Sequence, residues 1–255
     1  MTDLPTTPSF RLDGRRALVT GAGRGLGLAM AVALAEAGAQ TLLIARSADQ
    51  VEAAAEALRG RGLAAQAAAV DVTDRAAMRA LIEARGPFHV LVNNAGLARH
   101  APFLETTEAD YDAVTDLNVR AAYFVAQSVA QGLIAAGETG SIINLSSQMG
   151  HVGGPERAVY CASKHAMEGF SKAMALELAP HGIRVNTLCP TFIATELAAQ
   201  TLRDPQKRAW IERSIPLGRV GALEDLMGPV VFLASEASAL VTGSALMVDG
   251  GWTAA

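Results

Sequence analysis

Residues 16–38 read RALVTGAGRGLGLAMAVALAEAG. The first five form an apolar β-type run, and the last eleven, LAMAVALAEAG, read as a helix. Between them TGAGRGLG (20–27) carries Gly21, Gly25 and Gly27 in a G-x-x-x-G-x-G pattern, with Leu26 where the commoner G-x-G-x-x-G spacing has its third glycine. Glycine lets a backbone turn tightly and come close to a ligand. The helix that follows points free N–H groups and the positive end of its dipole at whatever lies in the turn. Strand, glycine turn and helix in this order predict a phosphate-binding βα unit.

The alternation continues outward. Further β-type runs are TLLIA (41–45), HVLVN (89–93), SIINL (141–145), IRVNTL (183–188) and ALMVD (245–249), with a weaker one at AAQAAAV (64–70). Helical stretches such as ADQVEAAAEALRG (48–60) and DRAAMRALIEA (74–84) lie between them. Apolar strands without polar alternation are buried on both faces, and strands alternating with helices imply right-handed crossovers. The expected fold is α/β: one Rossmann-type doubly wound domain over residues 1–255, with about seven parallel strands and helices on both faces. Residues 1–10 (MTDLPTTPSF) read as a loose extension. Residues 190–221 form a connection longer than usual, carry Pro205 and Pro216, and read as a substrate-covering segment.

Bulk properties narrow the function. The chain has 255 residues, is 51% hydrophobic and 18% charged, and carries a formal net charge of −4, which describes a globular chain with a large core. No basic run suggests a nucleic-acid partner. No run of about 18 apolar residues suggests a membrane span, and the N-terminus lacks the pattern of a secretory signal. Cys161 and Cys189 lack metal-ligand spacing and read as reduced structural thiols, which fits a cytoplasmic setting. No metal site is expected, and His89, His100, His165 and His181 read as structural or exposed.

The end of the second β-type run addresses the choice of dinucleotide. An NAD site usually places an acidic residue there, on the ribose 2′-hydroxyl. Here Ala45 holds that position and Arg46 follows. A guanidinium can pair with a 2′-phosphate that a carboxylate would repel, and Arg24 in the glycine turn adds a second cation. NADP(H) is the preferred cofactor on this reading, with NAD(H) as the alternative if the arginines are surface residues.

Tyr160 and Lys164 lie one helical turn apart in YCASK (160–164). A tyrosine with a pKa near 10 transfers protons poorly at neutral pH, and a neighbouring ammonium lowers that pKa. Thirteen residues before Tyr160 stands Ser147 in NLSSQMG, whose hydroxyl can hold a substrate oxygen. NNAG (93–96) ends the fourth strand and Asn118 lies in the helix after it. Ligands of open α/β sheets sit at such carboxyl ends.

In these motifs, together with DVTD (71–74) and CPTFIAT (189–195), the chain resembles the short-chain dehydrogenase/reductase family from about Leu12 to Trp252. The resemblance implies hydride transfer between a nicotinamide cofactor and a small carbonyl or secondary alcohol, in a homotetramer. Tyr160 would be the general acid or base, Ser147 would orient the carbonyl, and Lys164 would lower the tyrosine pKa and bind the nicotinamide ribose. Asn118 would hold a relay water. Gly21, Arg24, Gly25, Leu26 and Gly27 would wrap the phosphates, and Asp71 and Val72 would flank the adenine. Asn93, Ala95 and Gly96 would line the cofactor, and Pro190, Thr191, Ile193 and Thr195 would meet its carboxamide or phosphate end. Thr191 stands where the family more often has glycine. Gln148, His151 and Arg157 are candidates for a polar substrate, or else face solvent or a neighbouring subunit. Leu197, Leu202 and Trp210 either cover a substrate or pack segment 190–221 on the domain. Two other readings keep the fold: an NAD-dependent alcohol or polyol dehydrogenase, and a non-catalytic dinucleotide-binding sensor.

Overall fold

The computed structural model describes residues 4–254. Strands β1 (Arg16–Thr20), β2 (Gln40–Ala45), β3 (Ala65–Ala69), β4 (Val90–Asn93), β5 (Gly140–Leu145), β6 (Ile183–Pro190) and β7 (Ala245–Val248) form one parallel sheet. Their order is β3-β2-β1-β4-β5-β6-β7. The chain winds outward from β1 in one direction to β3, then returns to β4 on the other side. The order thus reverses between β1 and β4, and a crevice opens there at the carboxyl ends.

The helices are α1 (Gly25–Glu36), α2 (Ala48–Gly60), α3 (Arg75–Arg85), α4 (Glu108–Thr115), α5 (Ala122–Ala136), α6 (Ala158–Leu178), α7 (Glu196–Leu202), α8 (Pro205–Ser214) and α9 (Met227–Ala234). Local chemistry sets their starts. Ser47 caps α2 by accepting from the Gln50 N–H, and Asp74 caps α3 by accepting from the Ala77 N–H. In α2 the buried residues Val51, Ala54, Ala55 and Leu58 follow the helical repeat and make one inward stripe. α1 is apolar around most of its circumference, because it lies between the sheet and α9.

Two cores form on opposite faces of the sheet, from alternate residues of the same strands. Val19, Leu43, Val92 and Ile143 join Met30 and Leu34 of α1 and Val230 of α9 on one face. Leu18, Ile44, Leu91 and Ile142 join Met78 of α3 and Val129 and Leu133 of α5 on the other. This is the doubly wound architecture expected from the apolar runs. Residues 4–10 have no regular structure and are exposed, although Phe10 approaches Phe232 with ring centroids 6.4 Å apart. Residues 1–3 of the expected extension lie outside the described residues. Among the described residues, no helix is long and apolar enough to cross a membrane.

Segment 190–221 contains α7 and α8 and is stitched back by a bridge between Ile193 and Gly221. Trp210 of α8 meets Trp252 edge-on at 5.3 Å, and Phe192 lies 5.9 Å from the same ring. Trp210 therefore packs the segment onto the C-terminal turn. The side chain of Leu197 lies outside the described residues.

Candidate active site at the carboxyl ends of the strands

The glycine turn leaves β1 with Gly21 at φ +65° and Gly25 at φ +58°, in the left-handed region that favours glycine. A Cβ on Gly21 would meet Asn94 Nδ2 at 2.8 Å. A Cβ on Gly27 would sit 2.8 Å from the Gly21 carbonyl carbon and closer still to its oxygen. Beyond Gly25, by contrast, the space is open. The N-cap of α1 is Arg24, which makes no side-chain cap, and the first turn holds no acidic residue. The first N–H groups of α1 are thus left for an anion, and the turn fits a pyrophosphate. Leu26 is partly buried and packs against the core.

Asn94 locks this turn to β4. Its amide donates to the Thr20 and Gly21 carbonyl oxygens at 2.9 and 3.1 Å. In return the Thr20 hydroxyl accepts from the N–H groups of Asn94 and Ala95, both at 3.0 Å. Asn94, rather than the Asn93 expected from the motif, thus meets the glycine turn. The side chain of Asn93 is turned inward instead: it donates to the Ala122 carbonyl and to Asn144 Oδ1, both at 2.9 Å, and is spent inside the protein. Gly96 packs closely on the next element, since a Cβ there would lie 3.1 Å from Asn118 Oδ1.

At the end of β2, Ala45 is partly buried and Arg46 exposed. A Cβ on Gly23 would touch Ala45 Cβ at 3.3 Å, so position 45 borders the glycine turn as the ribose reading requires. Both arginines have carboxylates nearby. Arg24 pairs with Glu196 at the start of α7, at 3.2 Å and well exposed. The Thr73 N–H and hydroxyl bind the Asp71 carboxylate and hold its pKa below the usual range, with a smaller contribution from Arg46. Val72 is buried in the core. The side chains of Asp71 and Val72 are therefore engaged within the protein.

Ser147 follows β5, and Tyr160 and Lys164 occupy successive turns of α6. The Ser147 hydroxyl accepts from the Met149 N–H at 3.1 Å. The Lys164 ammonium is buried, donates to the Leu145 carbonyl at 2.7 Å, and lies 5.7 Å from the Tyr160 ring centroid. Burial pulls Lys164 down to about 8, against the opposing influence of Cys189 and Glu168. The sequence reading expects Lys164 to lower the tyrosine pKa. In this structure burial is the largest influence and pushes the phenol up, while a hydrogen bond with Ser147 opposes the rise.

Asn118 lies in a π-helical turn (116–121) between α4 and α5, and is fully buried. Such turns interrupt helices at functional positions. Its Oδ1 accepts from the Leu97 N–H at 2.9 Å, and its Nδ2 donates to the Leu97 carbonyl at 2.9 Å and to Ser163 Oγ at 3.1 Å. Both amide N–H donors of Asn118 are thus used within the protein, and Oδ1 holds the Leu97 N–H.

The residues after β6 divide in the same way. Pro190 closes the strand, and Thr191 has a buried hydroxyl without a partner. Ile193 is buried in the core, and the Thr195 hydroxyl caps α7 by accepting from the Ala198 N–H at 3.2 Å. Around Tyr160, Gln148 is buried with both amide atoms unpartnered. Arg157 stacks over Phe192 with its guanidinium 5.5 Å from the ring centroid. The His100 ring stands edge-on to Tyr160 at 6.4 Å, a neighbour that its sequence context gave no reason to single out. The His151 ring lies against Glu168 and Cys189.

Residues 21–253 match the family model described as enoyl-(acyl carrier protein) reductase. The chain is 43% identical to the D-erythrulose reductase of Gallus gallus over 96% of its length and 98% of that protein's. It is 42% identical to the L-xylulose reductase of Bos taurus, covering 96% and 99% of the two chains. Its structure resembles that of a gluconate 5-dehydrogenase from Burkholderia cenocepacia in complex with NADP and tartrate, with a TM-score of 0.93, 42% identity, and coverage of 96% and 98%.

Proposed function

This chain belongs to the short-chain dehydrogenase/reductase family of NAD(P)-dependent oxidoreductases acting on CH–OH and C=O groups, and we propose that it exchanges hydride between NADP(H) and a polyhydroxylated ketone or secondary alcohol. The observation that carries the proposal is the gathering of Ser147, Tyr160 and Lys164 at the carboxyl ends of the strands, the same end at which β1 leads into the glycine turn. A nicotinamide cofactor bound there supplies or takes the hydride. In reduction the Tyr160 hydroxyl gives its proton to the carbonyl oxygen; in oxidation the phenolate takes it back. Ser147 donates to the same oxygen and holds it beside the phenol. Lys164 is anchored by the Leu145 carbonyl, and its charge favours the phenolate once a ligand or substrate draws the groups together. Asn118 holds the 97 loop against α6 through Leu97 and Ser163, and so positions the turn that faces the cofactor.

A polyhydroxylated substrate is supported by the polar groups around Tyr160, namely Gln148, His100 and Arg157. The named relatives act on ketoses and on gluconate. Arg157 adds a cation that would favour a sugar acid. NADP(H) is supported by Ala45 in place of an acid and by the NADP in the Burkholderia structure. The NAD-dependent reading draws on one observation: Arg24 already pairs with Glu196, and Arg46 lies near Asp71. The homotetramer expected from the family draws on exposed Tyr111, Tyr123 and Leu176 along α4, α5 and α6.

The test is titration of NADPH and NADH into the purified protein, then turnover on a panel of ketoses and keto-sugar acids. Tyr160→Phe should lower kcat/KM by about 10²-fold or more and leave NADPH affinity within a few-fold of wild type. Turnover near wild type in this variant would remove Tyr160 from the chemistry.

A further inference from the structure

Positions 160, 164 and 168 run along one face of α6, and the third is a buried glutamate outside the proposed chemistry. Glu168 is 6% exposed and lies against Cys189, the residue before Pro190 at the end of β6, and against His151 from the turn after Ser147. The three candidate donor atoms form a nearly equilateral triangle: Cys189 Sγ to His151 Nε2 is 3.5 Å, Cys189 Sγ to Glu168 Oε1 is 3.3 Å, and His151 Nε2 to Glu168 Oε1 is 3.5 Å. Tetrahedral zinc with bonds of about 2.0–2.3 Å to nitrogen, oxygen and sulfur has ligand-to-ligand edges of roughly 3.3–3.5 Å between nitrogen and oxygen and roughly 3.5–3.7 Å to sulfur. The triangle therefore lies within about 0.2 Å of one face of such a tetrahedron, a difference that small side-chain adjustments cover. We propose that His151, Glu168 and Cys189 form a binding site for a zinc-class divalent cation.

Three further features fit. Glu168 Oε2 is already oriented, accepting from the Thr187 hydroxyl at 2.9 Å, as the second oxygen of a metal-binding carboxylate commonly is. The Ser146 hydroxyl is buried, has no hydrogen-bond partner and lies beside the thiol. It is placed to receive a water on the open fourth position. His151 is the exposed member of the set, so an ion enters past its ring while Glu168 and Cys189 stay buried. The donor set of one imidazole, one carboxylate and one thiolate suits zinc and excludes magnesium and calcium, which prefer oxygen alone. On binding, the Zn–S bond forms as the thiol proton leaves to solvent. Sequence spacing could not show this site, because its ligands lie 17 and 21 residues apart on three different elements and meet only through the β5–α6–β6 crossover.

The experiment uses the full-length protein stripped of metal by chelation. Zn²⁺ is titrated calorimetrically, and Co²⁺ is titrated as an optical probe whose near-ultraviolet charge-transfer band reports a thiolate ligand. The expected result is one Zn²⁺ per chain, no binding of Mg²⁺, and a Co²⁺–thiolate band that survives Cys161→Ser and vanishes in Cys189→Ser. His151→Ala, at an exposed position that tolerates truncation, should weaken Zn²⁺ binding by at least about tenfold, and Glu168→Gln should do the same. Absence of saturable Zn²⁺ binding to the wild type overturns the proposal. So does binding whose affinity is unchanged in His151→Ala, or a thiolate band that persists in Cys189→Ser.

Discussion

Replacing Lys164 by methionine should change the pH dependence of stability in a way that only a buried ammonium explains. Lys164 is 6% exposed, and burial pulls its pKa from 10.5 to about 8. Between those two values the unfolded chain holds a proton on this lysine that the folded chain has released. Stability therefore rises with pH across that window and is lowest below it, where both states are charged. At about 1.4 kcal/mol per pKa unit, the cost of burying the ammonium at neutral pH is roughly 3 kcal/mol. Roughly 2 kcal/mol of this is relieved by about pH 10. Methionine fills a similar volume and does not titrate. Losing the hydrogen bond to the Leu145 carbonyl shifts the variant by an amount that does not depend on pH, and other titrating groups are common to both proteins. The difference between the two stability curves thus reports Lys164 together with its coupling to Cys189 and Glu168. The assay is urea unfolding from about pH 7 to about pH 10, followed by tryptophan fluorescence. The wild type should gain roughly 2 kcal/mol on Lys164→Met over that range. Curves that stay parallel within about 0.5 kcal/mol would refute a depressed, buried ammonium.

Gly27→Ala would drive a Cβ into the Gly21 carbonyl and into the Asn94 side-chain amide, which is itself held by hydrogen bonds to that turn. It should cost about 1–3 kcal/mol of stability and weaken NADPH binding at least about tenfold, read by urea unfolding and by cofactor fluorescence; unchanged NADPH affinity would separate the turn from the phosphates. Asn118→Ala leaves the Leu97 N–H and carbonyl unpaired, at about 1–3 kcal/mol each, and should lower Tm by roughly 2–4 °C per kcal/mol. Asn118→Asp should fail to restore it, because a carboxylate cannot donate to the Leu97 carbonyl. Ala45→Asp places a carboxylate beside the glycine turn and should shift the NADPH-to-NADH affinity ratio toward NADH by about tenfold or more. A ratio left as in the wild type would move the ribose away from position 45.

The fold was legible because its signals are local and repeated. Apolar runs without alternation predict a sheet covered on both faces, and the runs at 16–20, 41–45, 89–93, 141–145, 183–188 and 245–249 each became strands within one or two residues. Even the weak AAQAAAV run became β3, an edge strand with mixed burial. The glycine pattern was equally legible, since positive φ and close backbone approach leave few other residues possible at Gly21 and Gly27. Which of two adjacent asparagines meets the turn was not legible. A strand end sends successive side chains to opposite faces, so Asn93 and Asn94 have different surroundings although their sequence context is nearly the same. The direction of the tyrosine pKa was missed for a related reason. Spacing on a helix reveals that Lys164 is near Tyr160, but not how deeply the phenol is buried, which is the largest influence on it.

The residues that motif reading assigns to a ligand and the structure spends on the protein have a common place. Asn93 binds Asn144, and Asn144 in turn donates to Ser171 of α6 at 2.8 Å, so one buried chain of side chains ties β4 and β5 to the helix that carries Tyr160 and Lys164. Asn118 ties the loop after β4 to the same helix through Ser163, whose hydroxyl donates to the Tyr160 carbonyl at 2.8 Å. Thr187 ties β6 to it through Glu168. Helix α6 is thus fixed to three successive strands or their loops by polar contacts as well as by packing. Each of those contacts is buried, so a slip of the helix would leave unpaired groups at about 1–3 kcal/mol each. Apolar packing alone tolerates small shifts more readily, because it has no preferred direction. The polar ties therefore account for how a phenol and an ammonium on a helix can be held in register with a serine on a strand end and a glycine turn two strands away.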